Sequence, residues 1–196
     1  MKFLVILFCV LAVVAAGKNE KRGFVKKCPK VFGKTPFDAE KFAGLWHMIS
    51  HMETGSPEEK CSRMNVTVNT TGGSTILDYQ LPHKTLDGQL KTDMVYSVAD
   101  KTKPAESFAV FKQQDGTWSG PYNKYVVATD YETFAITISC QPVFNTEIMK
   151  MDRSMCAHVY SREKSLPEGT LEILHEFMTG FDIDIDSIKM VDHTDC

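Results

Sequence analysis

From Asn65 onward, short runs of β-branched and aromatic residues alternate with turn residues. The runs are Asn65–Val68, Thr75–Leu81, Leu90–Val98, Ser107–Phe111, Tyr122–Thr129, Thr133–Cys140 and Met155–Ser161. Gly72-Gly73, Asp87-Gly88, Lys103-Pro104, Asp115-Gly116, Asp130-Tyr131 and Gln141-Pro142 stand between them as turns. Near-regular spacing with no helical period between the runs predicts an antiparallel meander. A first strand beginning at Gly44 brings the count to eight. Eight strands can close into an up-and-down barrel, which removes the exposed edges.

One helix follows the strands. Ser165 stands three residues before Glu168, a capping box, with Pro167 in the first turn. Leu171, Leu174, Met178 and Phe181 then form one apolar stripe, and Gly180 ends it. A helix with one apolar face needs a surface to cover, and the barrel wall is that surface. Asp182–Asp186 alternates Asp and Ile, which reads as an edge strand rather than a calcium site. The expected class is therefore all-β with one C-terminal helix.

Met1–Gly17 has a charged start at Lys2, an apolar run over Phe3–Val14 and a small-residue end. This is the pattern of a secretory signal peptide, too short for a good membrane span. Residues 18–196 are then one secreted domain, with no internal repeat and no second boundary. No later run reaches ~18 apolar residues, so stable membrane insertion is not expected. The signal removes one of the 22 basic residues and none of the 25 acidic ones, which leaves a charge of −4. That balance argues against nucleic acid as a partner. The basic cluster Lys18–Lys27 reads as a solvated tail.

Six cysteines fall at 9, 28, 61, 140, 156 and 196, and Cys9 leaves with the signal. Secretion makes disulfides the default for the other five, as two bridges and a spare thiol, with the pairing open. There is no CxxC, and no metal site is expected. His47 and His51 are four apart, but on a strand that is ~13 Å, too far to share one ion. Their parity places them outside, away from Trp46. Asn65 and Asn69 head glycosylation sequons, NVT and NTT.

Gly44-Leu45-Trp46 opens the first strand, Thr129-Asp130-Tyr131 makes the turn between the sixth and seventh, and Ser161-Arg162 ends the eighth. In this order and spacing they resemble the three motif regions of the lipocalin family. The resemblance covers about residues 28–196. It implies an eight-stranded barrel, one end open and one closed, that holds a small apolar ligand. It also implies that Trp46 plugs the closed end and that Arg162 stacks across it. A cation on an indole face contributes ~0.5–2 kcal/mol, and Gly44 lets the chain approach the barrel floor.

Within that family, "KKCPKVFGKTPFDAEKFAGLWH" and the cysteine placement are most like the group of apolipoprotein D, insecticyanin and the bilin-binding proteins. That likeness implies the bridges Cys28–Cys140 and Cys61–Cys196, and glycosylation at Asn65.

Alternate strand residues share a face, which gives the expected ligand-binding set. Met48 and Ser50 follow Trp46 up the wall. Tyr125 and Val127 share a face with Thr129. Phe134, Ile136 and Ile138 are the apolar phase of the seventh strand, and Phe108 and Val110 are chosen for the fifth. On the fourth strand the phase is open, with Met94 and Tyr96 taken as the lining pair. Cys156, His158 and Tyr160 are placed inward because related lipocalins carry a pocket aromatic where His158 stands. Ser50, Tyr125, His158 and Tyr160 would be polar anchors in an apolar site.

Cys156 is the spare thiol. No nucleophile–base–acid arrangement is visible, so no enzyme activity is expected. The functional expectation is a secreted carrier of a small hydrophobic molecule. A biliverdin-like tetrapyrrole, a fatty acid, a retinoid or a sterol would all suit, and no cofactor is required. The alternative is an extracellular interaction or scavenging protein that works through loops such as Thr70–Ser74 and Gln113–Gly120. A receptor or a second copy of the chain stays open as a partner.

Overall fold

A computed structural model describes residues 26–53, 59–112 and 115–196. The signal-like segment and residues 113–114 of the Gln113–Gly120 loop fall outside these. Among the described residues the strands are β1 (Gly44–Glu53), β2 (Glu59–Lys60), β3 (Arg63–Thr71), β4 (Ser74–Thr85), β5 (Leu90–Ala99), β6 (Glu106–Lys112), β7 (Trp118–Thr129), β8 (Phe134–Asn145), β9 (Lys150–Ser161) and β10 (Lys189–Met190). The helices are α1 (Ala39–Phe42) and α2 (Glu168–Thr179).

β1 and β3 to β9 pair antiparallel in sequence order, and β9 pairs back onto β1 to close an eight-stranded barrel. β2 and β10 are short additions that pair with β4 and β1. The β3–β4 hairpin turns at Gly72-Gly73, both at positive φ, where a side chain would be strained.

Four expectations do not hold in the structure. Gln141-Pro142 lies inside β8, which runs on to Asn145; the turn comes after it, where the Asn145 side chain accepts from the N–H groups of Glu147 and Ile148. Asp182–Asp186 is not a strand. A 3-10 turn covers Ile185–Ser187, with Asp184 accepting from the Asp186 N–H, because a short acidic side chain caps a turn more readily than it extends a ladder. Ser165 does not cap α2. Pro167 is the N-cap, and its carbonyl receives the N–H groups of Thr170 and Leu171. His51 does not share the outer face of His47, as the β1 bulge described below explains.

The apolar residues form two cores. The first is inside the barrel at one end, around Phe42, Trp46, Met64, Val66, Leu77, Tyr79 and Val126. The second is outside the barrel, where Ile49, Ile136, Ile138, Met155 and Val159 meet Leu174 and Met178 of α2. The Ser50 hydroxyl also bonds His175 of α2 at 2.8 Å. The helix therefore forces one stretch of barrel wall to be apolar on its outer face.

Two disulfides close the ends. Cys28–Cys140 ties the N-terminal segment to β8, and Cys61–Cys196 ties the C-terminus beside β3. The loops span 112 and 135 residues, for which each bridge contributes ~2–4 kcal/mol. Asn65 and Asn69 lie on the outer phase of β3, since Met64 and Val66 are buried inside; Asn69 is exposed and donates to Asp78.

Candidate functional site

The closed end is built from the three motif regions. Trp46 is fully buried, and its Nε1–H donates to the Phe42 carbonyl at 2.8 Å. The Arg162 guanidinium carbon lies 3.6 Å from the centre of the Trp46 ring. Arg162 also donates to the carbonyls of Lys41, Ala43, Leu45 and Tyr131. Gly44 has φ +95, and a Cβ there would come within 3.4 Å of Arg162 Nη1. That is the physical reason for glycine two places before the tryptophan.

The Thr129-Asp130-Tyr131 corner locks itself. Asp130 Oδ1 accepts the N–H groups of Glu132, Thr133 and Phe134. Burial alone would raise the Asp130 carboxyl, but the Thr133 hydroxyl, which donates to Oδ2, and those N–H groups hold it below the usual range. Thr129 Oγ1 donates to the Phe134 carbonyl, and the Tyr131 hydroxyl accepts the Asp38 N–H. These contacts are scaffold. They seal one end of the barrel.

Beyond the plug the barrel encloses a cavity of about 280 Å³. Met48, Tyr79, Leu81, Val95, Phe111, Tyr122 and Tyr160 supply its apolar wall, with Lys124, Ser139, Cys156 and His158 between them. Glu53, Glu59, His83, Asp93 and Gln141 also line it. Glu53 bonds His158 Nε2, and His158 stacks obliquely on Tyr160 at 5.7 Å. His83 lies 3.5 Å from Glu59 and 3.9 Å from Asp93. Glu59, His83 and Asp93 place donor atoms within 4.8 Å of one another, close enough to hold a metal ion. Burial raises the Glu59 carboxyl, with His83 and Ser62 opposing.

Of the predicted lining residues, Met48, Cys156, His158 and Tyr160 stand on this wall. The others do not, for three reasons. First, bulges shift the phase. The β1–β9 register slips between Met48 and Ser50, so Ser50 turns out under α2 while His51 falls opposite His158 and Glu53 opposite Cys156. A second slip, between Val126 and Ala128, sends Val127 to the outer core and leaves Tyr125 against it. Second, α2 claims the apolar phase of β8, so Phe134, Ile136 and Ile138 face out and Ala135, Thr137 and Ser139 face in.

Third, the outer face of β5 and β6 is itself apolar. Val98 pairs with Phe108 and Tyr96 with Val110, and Phe108 is 64% exposed. Met94, Tyr96, Phe108 and Val110 therefore point away from the cavity, and Asp93, Val95, Ala109 and Phe111 take the inner phase. His47 is half-buried rather than superficial, with its ring edge-on to His193 at 5.6 Å.

Among the described residues Cys156 is the free thiol. Burial, aided by Glu53 and opposed by Lys124, pushes it up to about 12. A thiol held so far from thiolate is a poor nucleophile. Iodoacetamide at pH 8 should label native protein slowly and label one thiol at once after unfolding without reductant. Rapid labelling of the native state would show that Cys156 is open and ionised.

A closed eight-stranded barrel with one plugged end and an internal cavity defines a class of small-molecule binding protein. The lipocalin / cytosolic fatty-acid binding protein family model matches residues 43–195, and the chain belongs to that family. It is similar to apolipoprotein D of Cavia porcellus, 26% identical over all of this chain and 98% of that one. It is also similar to insecticyanin-B of Manduca sexta, 26% identical over 97% of this chain and 88% of the relative. Its fold is like that of H1 crustacyanin from the lobster Homarus americanus, with a TM-score of 0.64 at 16% identity over 86% and 89% of the two chains.

Proposed function

We propose that the protein is an extracellular carrier that holds one small apolar molecule in its barrel cavity and does no chemistry on it. The observation that carries this is the cavity itself: sealed by Trp46 below, walled by aromatic and aliphatic side chains, and polar where Glu53, Glu59, His83 and Asp93 stand. An apolar wall that also presents placed polar groups is the general recipe for a small-molecule site. Membership of a family described by fatty-acid binding supports the same reading.

A volume of about 280 Å³ lies just below the usual span of ligand pockets, ~300–1,000 Å³. It suits a slender fatty acid or retinoid better than a sterol or a tetrapyrrole. The raised Cys156 thiol is in keeping with a carrier rather than an enzyme. Secretion is supported by the leader pattern of Met1–Gly17, the two disulfides and the exposed sequon at Asn69.

Native mass spectrometry with an absorption spectrum, on protein from its natural source, tests the proposal. A co-purifying lipid mass without visible bands is the expected result. A visible chromophore would move the ligand class to a pigment. Empty protein that also fails to bind cis-parinaric acid would end the carrier reading.

A further inference from the structure

Lys124 is an unusual resident of this cavity. It lies on β7 between Tyr122 and Val126, at 7% exposure, with its ammonium 4.9 Å from the centre of the Tyr79 ring. The wall carries three carboxylates, and each has an imidazole neighbour. Glu53 bonds His158, Glu59 and Asp93 flank His83, and Ser62 also donates to Glu59. Among the described residues none of these carboxylates comes within ion-pair distance of Lys124. The other wall cation, Arg63, is the first residue of β3.

A cation taken out of water costs free energy until an anion or hydrogen-bond acceptor meets it. The face of Tyr79 offsets part of that cost, but it accepts no ordinary hydrogen bond. Burial draws the Lys124 amine down to about 8, with Cys156 and Glu53 opposing, so it remains mostly ammonium at neutral pH. The cavity thus holds a buried ammonium against the Tyr79 ring, beside wall carboxylates that already meet imidazoles.

We propose that the cavity selects apolar molecules that bear a carboxylate, and that Lys124 Nζ receives that group. The inference rests on the carrier reading and narrows it. A charge-assisted bond to ammonium in a site with little water is stronger than a neutral one. Alcohols, sterols and esters would offer the ammonium only a neutral acceptor and bind more weakly. The carboxylate could come from an alkyl or polyene chain or from a tetrapyrrole propionate.

The test compares cis-parinaric acid with its methyl ester, and biliverdin with its dimethyl ester, by fluorescence or absorption titration at pH 7. Wild-type protein and Lys124→Met are both used. The expected result is a preference of about tenfold or more for the acid in at least one pair, lost in Lys124→Met while ester affinity stays or rises. The pair that shows the preference identifies the source of the carboxylate. Equal affinity of acid and ester in wild-type protein overturns the inference and leaves the carrier reading standing. A preference that survives Lys124→Met removes Lys124 from the role. Failure of all four compounds to bind overturns both readings. The wild-type comparison needs no variant, so it holds even where Lys124→Met misfolds.

Discussion

Replacing Trp46 by alanine should lower the unfolding free energy by ~3–5 kcal/mol, the cost of truncating a fully buried aromatic. Trp46 is fully buried, touches Phe42 ring to ring at 5.6 Å, and lies under Arg162 at 3.6 Å. Truncation removes this packing, leaves a void at the barrel floor and orphans the Phe42 carbonyl that accepts the indole N–H. Arg162 keeps its bonds to the carbonyls of Lys41, Ala43 and Leu45, so the loop across the floor retains an anchor. Trp46→Phe should therefore fall between wild type and alanine. Urea unfolding with the disulfides intact measures the difference. For a domain of this size each kcal/mol is worth ~2–4 °C in Tm, so a drop of roughly 10 °C is expected. A loss below about 1 kcal/mol would show that the plug is not what holds this end closed.

The plug was legible in the sequence through the likeness of its three motif regions to the lipocalin family, and the structure shows why those motifs are so specific. A glycine at positive φ, a tryptophan two places on, a Thr-Asp-Tyr corner and a late arginine each need a particular side chain at a particular step. The strand count was legible too, since turn residues punctuate it. The phase of the strands was not. Period-2 reading assumes an unbroken ladder, and the bulges after Met48 and after Val126 break it in β1 and β7. It also assumes that the apolar phase faces in. Here α2 covers the outer wall of β8 and β9, so the apolar phase there faces the helix.

Lys124 shows the same limit from the other side. A lysine in an alternating strand reads as a solvent residue. The signal that could have found it is Tyr122-x-Lys124-x-Val126, an alternation in which the lysine shares a face with two apolar neighbours. Glu53 and His51 were hidden by the β1 bulge, and His83 and Asp93 by the distance in sequence between the residues that meet there.

The two-faced wall gives the second large prediction. Ile136→Ala should cost ~2–5 kcal/mol of stability and leave the affinity for a cavity ligand unchanged. Ile136 is fully buried, lies opposite Val159 in the β8–β9 ladder, and belongs to the core that holds Leu174 and Met178 of α2. Its side chain faces away from the cavity, so its removal opens a void under the helix and not in the binding site. Tyr122→Ala should do the reverse. Tyr122 lines the cavity and is only half-buried, so its loss should weaken ligand binding severalfold at a smaller cost in stability. Thermal unfolding and a cis-parinaric acid titration on the same two variants separate the faces. If Ile136→Ala weakened binding while stability held, β8 would present its apolar phase to the ligand after all. The polar phase of Thr137 and Ser139 would then lie under α2, where a helix with a single apolar stripe has nothing to bury against it.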